Sequence, residues 1–127
     1  MRIFKNAWFN RFAGKEGIKD TELKEIVSQL EKGQFDADLG GNVYKMRLAR
    51  SGEGKSGGFR LIVLFKSKER TFFVYGFAKS AQGNINQKER KAYKEAAKEY
   101  FSMTAENIEK LLLCGRLKEI QEVDNER

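Results

Sequence analysis

The segment Phe59-Arg60-Leu61-Ile62-Val63-Leu64-Phe65 is apolar at every position but one. Neither of its two faces is polar, which is the pattern of a central strand covered on both sides. The rest of the chain must therefore supply packing for both faces of a sheet. Neighbouring segments read as strands too. Between Val43 and Leu48, Tyr44, Met46 and Leu48 alternate with Val43, Lys45 and Arg47, a two-residue rhythm that puts Lys45 and Arg47 on one face. The polar turn Ser67-Lys68-Glu69-Arg70 then leads into Thr71 to Phe77, and the three strands are expected to form an antiparallel meander.

Helical spacing flanks these strands. Met1 to Phe4 reads as a short first strand, and Ala7 to Ala13, with Trp8, Phe9 and Phe12 one turn apart, as a short helix ended near Gly14. A second helix has Asp20 as its N-cap, Leu23, Ile26, Val27 and Leu30 on one side, and Gly33 as its C′ residue. Asn86 to Phe101 carries Tyr93, Ala96, Ala97, Tyr100 and Phe101 on one stripe, and Thr104 caps a last helix with Ile108, Leu111 and Leu112 inward, stopping at Gly115. The expected fold is α+β: an N-terminal helical hairpin packed on a twisted, mainly antiparallel sheet of about four strands, with C-terminal helices completing the layer. At 127 residues one domain is expected over 1–127, with a polar tail from Glu122 that frays.

The net charge of +7 is not spread evenly. Nine basic and two acidic residues lie between Val43 and Lys79, and the remainder is balanced at sixteen of each sign. A sheet bearing clustered cations and an aromatic suits a polyanion. The inventory excludes other chemistries: with no histidine and a single Cys114, a zinc site, a Ser-His or Cys-His pair and an internal disulfide are ruled out. No metal or cofactor is expected. The longest apolar runs are far too short for a membrane span and no signal-peptide core is present, so a cytoplasmic protein without membrane contact is expected.

Gly52-Glu53-Gly54-Lys55-Ser56 invites a P-loop reading, but the motif needs a glycine where Ala49 stands, and the loop runs into a strand instead of opening a helix. It reads as a flexible connection from which Lys55 can reach a phosphate. The stronger constellation is Lys45, Arg47, Arg60, Tyr75 and Lys79, which a meander can gather on one surface, with Arg50 and Lys55 as further RNA contacts. Each has a plainer reading. Lys45, Arg47 and Lys79 suit a solvated strand face, and Tyr75 suits ordinary sheet packing. Arg60 interrupts an apolar strand and needs a partner, either an internal carboxylate or a ligand anion.

Gathered together, these groups suit RNA cleavage by the 2′-hydroxyl, which attacks the adjacent phosphate and expels the 5′-oxygen. Lys45, crowded by arginines and so partly neutral, would take the hydroxyl proton. Arg47 and Arg60 would stabilise the pentacoordinate phosphorane, and Tyr75 would stack a base or donate a proton.

At these residues the chain resembles the RelE/ParE superfamily of toxin–antitoxin proteins, on its RelE/HigB side. The resemblance is carried by Phe35-Asp36-Ala37-Asp38-Leu39-Gly40-Gly41, Tyr44-Lys45-Met46-Arg47-Leu48, Lys55-Ser56-Gly57-Gly58-Phe59-Arg60 and Tyr75-Gly76-Phe77-Ala78-Lys79 in succession. It implies a ribosome-dependent messenger-RNA endonuclease that inhibits translation. The paired basics Lys45 and Arg47, the phosphate-binding Arg60, and Lys79 as the further basic residue of the last strand match the family's site. HigB-like relatives often have histidine where this chain has Tyr75, which leaves the general acid open. The resemblance also implies a cognate antitoxin, ribosome and messenger RNA as partners, and operator DNA bound only through the antitoxin complex. Two other readings stay open: a ParE-like inhibitor of DNA gyrase, and a noncatalytic nucleic-acid-binding module.

Overall fold

The structure, a computed structural model, describes residues 1–50 and 58–121. Its elements run β1 (Arg2–Asn6), α1 (Ala7–Glu16), α2 (Asp20–Glu31), β2 (Ala37–Gly40), β3 (Val43–Leu48), β4 (Phe59–Lys66), β5 (Arg70–Ala78), α3 (Gln87–Ser102), α4 (Ala105–Leu113) and β6 (Leu117–Ile120). The strands make one sheet in the order β2-β3-β4-β5-β1-β6. β1 is parallel to β5, and the other pairings are antiparallel.

This corrects the expected architecture. The domain is α+β, but its sheet is mixed and six-stranded, not an antiparallel one of about four, and the chain does not begin as a helical hairpin laid on a sheet. It begins in the sheet's interior, where β1 pairs with β5 on one side and β6 on the other. Two strands escaped the pattern because of their length. β2 and β6 have four residues each, with only Leu39 buried in the first and Leu117 and Ile120 in the second, too short for a two-residue period to stand out. Short outer strands also present little free edge for further pairing.

Helices cover both faces. Phe9 and Ala13 of α1 and Leu23, Ile26, Val27 and Leu30 of α2 meet Met46, Leu61, Val63, Phe65 and Phe73. Ala97 of α3 and Ile108 of α4 sit on the opposite face with Val43, Ile62, Leu64 and Phe72. β4 feeds both cores alternately, so seven of its eight residues are buried, Arg60 among them. Each large side chain buried in this way contributes about 1.5–3 kcal/mol relative to exposure.

Helix ends follow local chemistry. α1 continues past Gly14 and stops at Gly17, whose φ of 72° is the left-handed conformation that ends a helix. Asp20 is the first residue of α2 instead of its cap; its carboxylate accepts from buried Lys5 Nζ at 2.9 Å. Asn86 and Glu89 exchange side-chain-to-backbone bonds of 2.8 Å at the start of α3. Arg70 closes that helix's other end, donating from Nη1 to the carbonyls of Tyr100 and Met103. No helix among the described residues is long and apolar enough to cross a membrane. The 52–56 loop and the tail from Glu122 lie outside the described residues.

Candidate active site

Strand register places the central residues of the constellation on the sheet face covered by α3 and α4. Arg47 on β3 pairs with Arg60 on β4, which pairs with Phe77 on β5; in the adjacent row Lys45 pairs with Ile62, and Ile62 with Tyr75. A β-bulge makes this possible. Ile62 faces Tyr75 but Val63 faces Phe73, so Val74 is an extra residue. Phe73 belongs to the α1–α2 core, and in a regular strand Tyr75 would share its side. The extra residue reverses the phase and turns Tyr75 and Phe77 toward Lys45 and Arg60.

Neighbouring residues hold the bulge. Asn6 donates from Nδ2 to the Val74 carbonyl at 3.1 Å while its Oδ1 caps α1 through Phe9 N at 2.7 Å. Gly76 lies against Phe12, so close that an added Cβ would be 2.5 Å from the ring.

A carboxylate stands among the cations. Asp36, one residue before β2, accepts from Arg47 Nε at 2.9 Å, and its Oδ2 lies 3.6 Å from Lys45 Nζ and 3.8 Å from Arg60 Nε. Arg60, only 5% exposed, thus meets an internal carboxylate, and its Nη1 also donates to the Phe59 carbonyl. Among the described residues, these three cations share the Asp36 carboxylate. A cleft of about 430 Å³ lies beside it, lined by Gln29, Gln34, Phe35, Asp36, Met46 and Arg47.

The segment after β5 ties in the remaining groups. Gln82 Oε1 accepts from the Tyr75 hydroxyl at 3.0 Å, the Gly83 carbonyl from Lys79 Nζ at 3.1 Å, and Asn84 Oδ1 from Lys45 Nζ at 3.4 Å. Three successive residues thereby touch three members of the constellation. The Tyr75 ring packs against Trp8, Phe77 and Tyr93, with centroids 4.6, 6.0 and 6.1 Å away. Burial pushes its hydroxyl above the usual tyrosine value, and the Glu89 charge adds to the shift. At neutral pH Tyr75 therefore carries its proton and can give one.

Other basic residues of the Val43–Lys79 stretch are spent elsewhere. Arg50 lies over the Phe59 ring and 3.9 Å from Glu16, on the α1–α2 side, away from Asp36. Arg70 caps α3, and Lys66 pairs with Glu69 at 3.4 Å. Lys79 is exposed at the rim and is not in the Asp36 cluster. Lys55 lies outside the described residues. Sequence reasoning missed Asp36, Gln82 and Asn84; the one signal for Asp36 was that a guanidinium at position 60 required a partner.

Residues 1–120 match the family described as the RelE toxin of the RelE / RelB toxin-antitoxin system. The chain belongs to the RelE toxin family. No curated protein matches it. The RelE match runs from the start of the chain to the last residue of β6, and so takes in every strand that frames the cationic face. A RelE toxin is one half of a toxin–antitoxin pair, and its counterpart is an antitoxin of the RelB type.

Proposed function

We propose that this RelE toxin is a ribosome-dependent endonuclease that cuts messenger RNA through its own 2′-hydroxyl and so stops translation. The observation that carries the reading is the convergence of Lys45, Arg47 and Arg60 on one spot of the sheet, with Tyr75 in the adjacent strand. Lys45 in its neutral form takes the 2′-hydroxyl proton. The 2′-oxygen attacks the phosphorus, and the bond to the 5′-oxygen breaks, giving a 2′,3′-cyclic phosphate and a free 5′-hydroxyl. Arg47 and Arg60 stabilise the charge that builds on the phosphorane oxygens. Tyr75, protonated at neutral pH, donates to the departing 5′-oxygen. Lys79 at the rim contacts a flanking phosphate.

The partners are the ribosome with its message and, for inhibition, a cognate RelB-type antitoxin that covers the cationic face; operator DNA is reached through that complex, in the cytoplasm. The test is primer-extension mapping of translated messages after induction of wild type and Arg60→Ala. Wild type should produce breaks at A-site codons, and Arg60→Ala should lower cleavage by about 10²–10³, the cost of removing one transition-state donor, while ribosome binding falls only a few-fold. Intact messages in cells arrested by the wild type would refute the endonuclease. If purified protein then blocked gyrase supercoiling, the ParE-like activity would replace it.

A further inference from the structure

Phe35 is left 45% exposed one residue before the carboxylate that Lys45, Arg47 and Arg60 share, and it belongs to neither core. Its backbone is pinned on both sides. Gly33, at φ 75°, follows the end of α2, and the Gln34 N–H donates to the Gln29 carbonyl at 2.9 Å. On the other side, the Asp36 N–H donates to the Lys45 carbonyl at 2.9 Å, directly before Ala37 enters register with Lys45. The ring rests against Tyr44, with centroids 5.3 Å apart and planes tilted by 48°. An exposed ring held in this way loses little freedom when a ligand lies on it.

The ring forms part of the wall of the cleft of about 430 Å³, with Gln29, Gln34, Asp36, Met46 and Arg47. That volume lies within the range of pockets that enclose small ligands. The lining sorts the parts of a nucleotide. A phosphate belongs with the cations Lys45, Arg47 and Arg60. A base, flat and apolar on its faces with donors and acceptors along its edge, belongs with an aromatic ring, a methionine and two amide-bearing residues. Arg47 is common to both places: it donates from Nε to Asp36 at 2.9 Å, lines the cleft, and keeps 49% of its side chain exposed. We infer that this cleft is a nucleobase subsite, which takes one unpaired base of the RNA, stacked on Phe35, from the nucleotide whose phosphate lies at Arg47. The inference rests on the reading of message RNA as the ligand of the cationic face, and it adds a base contact to a site otherwise built for phosphate.

The probes are a short 2′-O-methyl single-stranded RNA, which cannot be cut through its 2′-oxygen, and copies of it each made abasic at one position. Their binding to wild type, Phe35→Leu and Phe35→Trp is measured across salt concentrations, with thermal melts of each protein. For wild type, removing the base at one position should weaken binding about 5- to 150-fold, the affinity equivalent of one stacked base. Phe35→Leu should bind the intact RNA about as weakly as wild type binds that abasic copy, and should no longer distinguish the two, whereas Phe35→Trp should still do so. The log–log salt slope should be the same in all three, because no charge is changed. Equal effects of base removal in wild type and Phe35→Leu, or no effect in wild type at any position, would overturn the inference. So would a slope flattened by about 0.7 in Phe35→Leu, since the loss would then be one of phosphate grip. Were Phe35→Leu unable to fold, 4-thiouridine at the sensitive position of the RNA, irradiated on wild type, would decide by crosslinking to the peptide that carries Phe35 or elsewhere. Cleavage of ribosome-bound message by the same wild-type preparation is scored separately. Uncut message beside intact base discrimination would remove the endonuclease reading and keep the subsite, and cutting without discrimination would remove the subsite alone.

Discussion

Tyr75 divides its duties between ring and hydroxyl. The ring is engaged by Trp8, Phe77 and Tyr93, so Tyr75→Phe keeps the packing and loses only the bond to Gln82, at a cost of about 1 kcal/mol. Cleavage should fall much further, by about 10²–10⁴, if the phenol is the proton donor. The pH profile provides a second check. Burial raises the folded-state value above 10.0, so the wild-type rate should hold up to that pH and decline beyond it, and Tyr75→Phe should lack this decline. Stability follows the same sign: it is undiminished below 10.0 and is lost as pH rises through the raised value. Rate measurements on wild type and variant between pH 7 and about pH 11 test both limbs. At this scale the sequence was partly readable. Alternation put Lys45 and Arg47 on one face, and an arginine in an apolar strand demanded a partner. Asp36, Gln82 and Asn84 lie in segments with no period, where residue type carries no direction. Arg50 resembled its basic neighbours in sequence, yet its side chain goes to Glu16 and the Phe59 ring on the other side of the sheet.

Among the elements, the long strands and all four helices left clear periods, whereas the devices that set their mutual register did not. The extra Val74 sits inside a continuous apolar run, so nothing in Phe72-Phe73-Val74-Tyr75 marks a change of phase. β6 adds an ion pair to its two buried residues, Leu117 and Ile120: Arg2 grips Glu119 through two bonds of 2.8 and 2.9 Å and reaches Glu109 of α4 at 2.8 Å. The Arg2 hydrogen bond holds the Glu119 carboxyl below its usual 4.5, against the opposing effect of burial. Its stabilisation is therefore present above 4.5 and vanishes as pH falls through the lowered value. With Arg2 partly exposed and screened, Glu119→Gln should cost about 0.5–1 kcal/mol at pH 7 and progressively less as pH falls below 4.5, measured by urea unfolding. Gly58 fixes the start of β4 more strictly. A Cβ there would lie 2.2 Å from the Leu48 carbonyl oxygen, and the Gly58 carbonyl accepts from Lys79 N at 2.9 Å. Gly58→Ala should lower stability by about 2 kcal/mol or more and reduce cleavage with it, through displacement of Arg60 two residues on; thermal melts and cleavage rates measured on one preparation should fall together.

For the molecule as a whole, the excess of seven positive charges falls within one stretch of sequence but not at one place in space. Folding directs Arg70 to a helix end, Lys66 to Glu69 and Arg50 to Glu16; of this stretch's cations among the described residues, Lys45, Arg47 and Arg60 surround Asp36 and Lys79 stands at the rim. Salt dependence distinguishes local from global attraction, because each phosphate neutralised on a single strand contributes about 0.7 to the log–log slope. Four site cations offset by one carboxylate give a slope of about −2, whereas attraction by the full net charge would give about −5. Binding of a short labelled single-stranded RNA to the purified toxin, followed by fluorescence anisotropy between about 50 and 400 mM salt, should yield the shallower value. Neutralising Lys66, which pairs with Glu69 at the turn between β4 and β5, should leave the slope unchanged, while neutralising Lys79 should flatten it by nearly one phosphate's share. A slope near the steeper value, insensitive to Lys79, would mean that RNA is held by the diffuse field of the surface and that the cationic face makes no separate contribution to the grip.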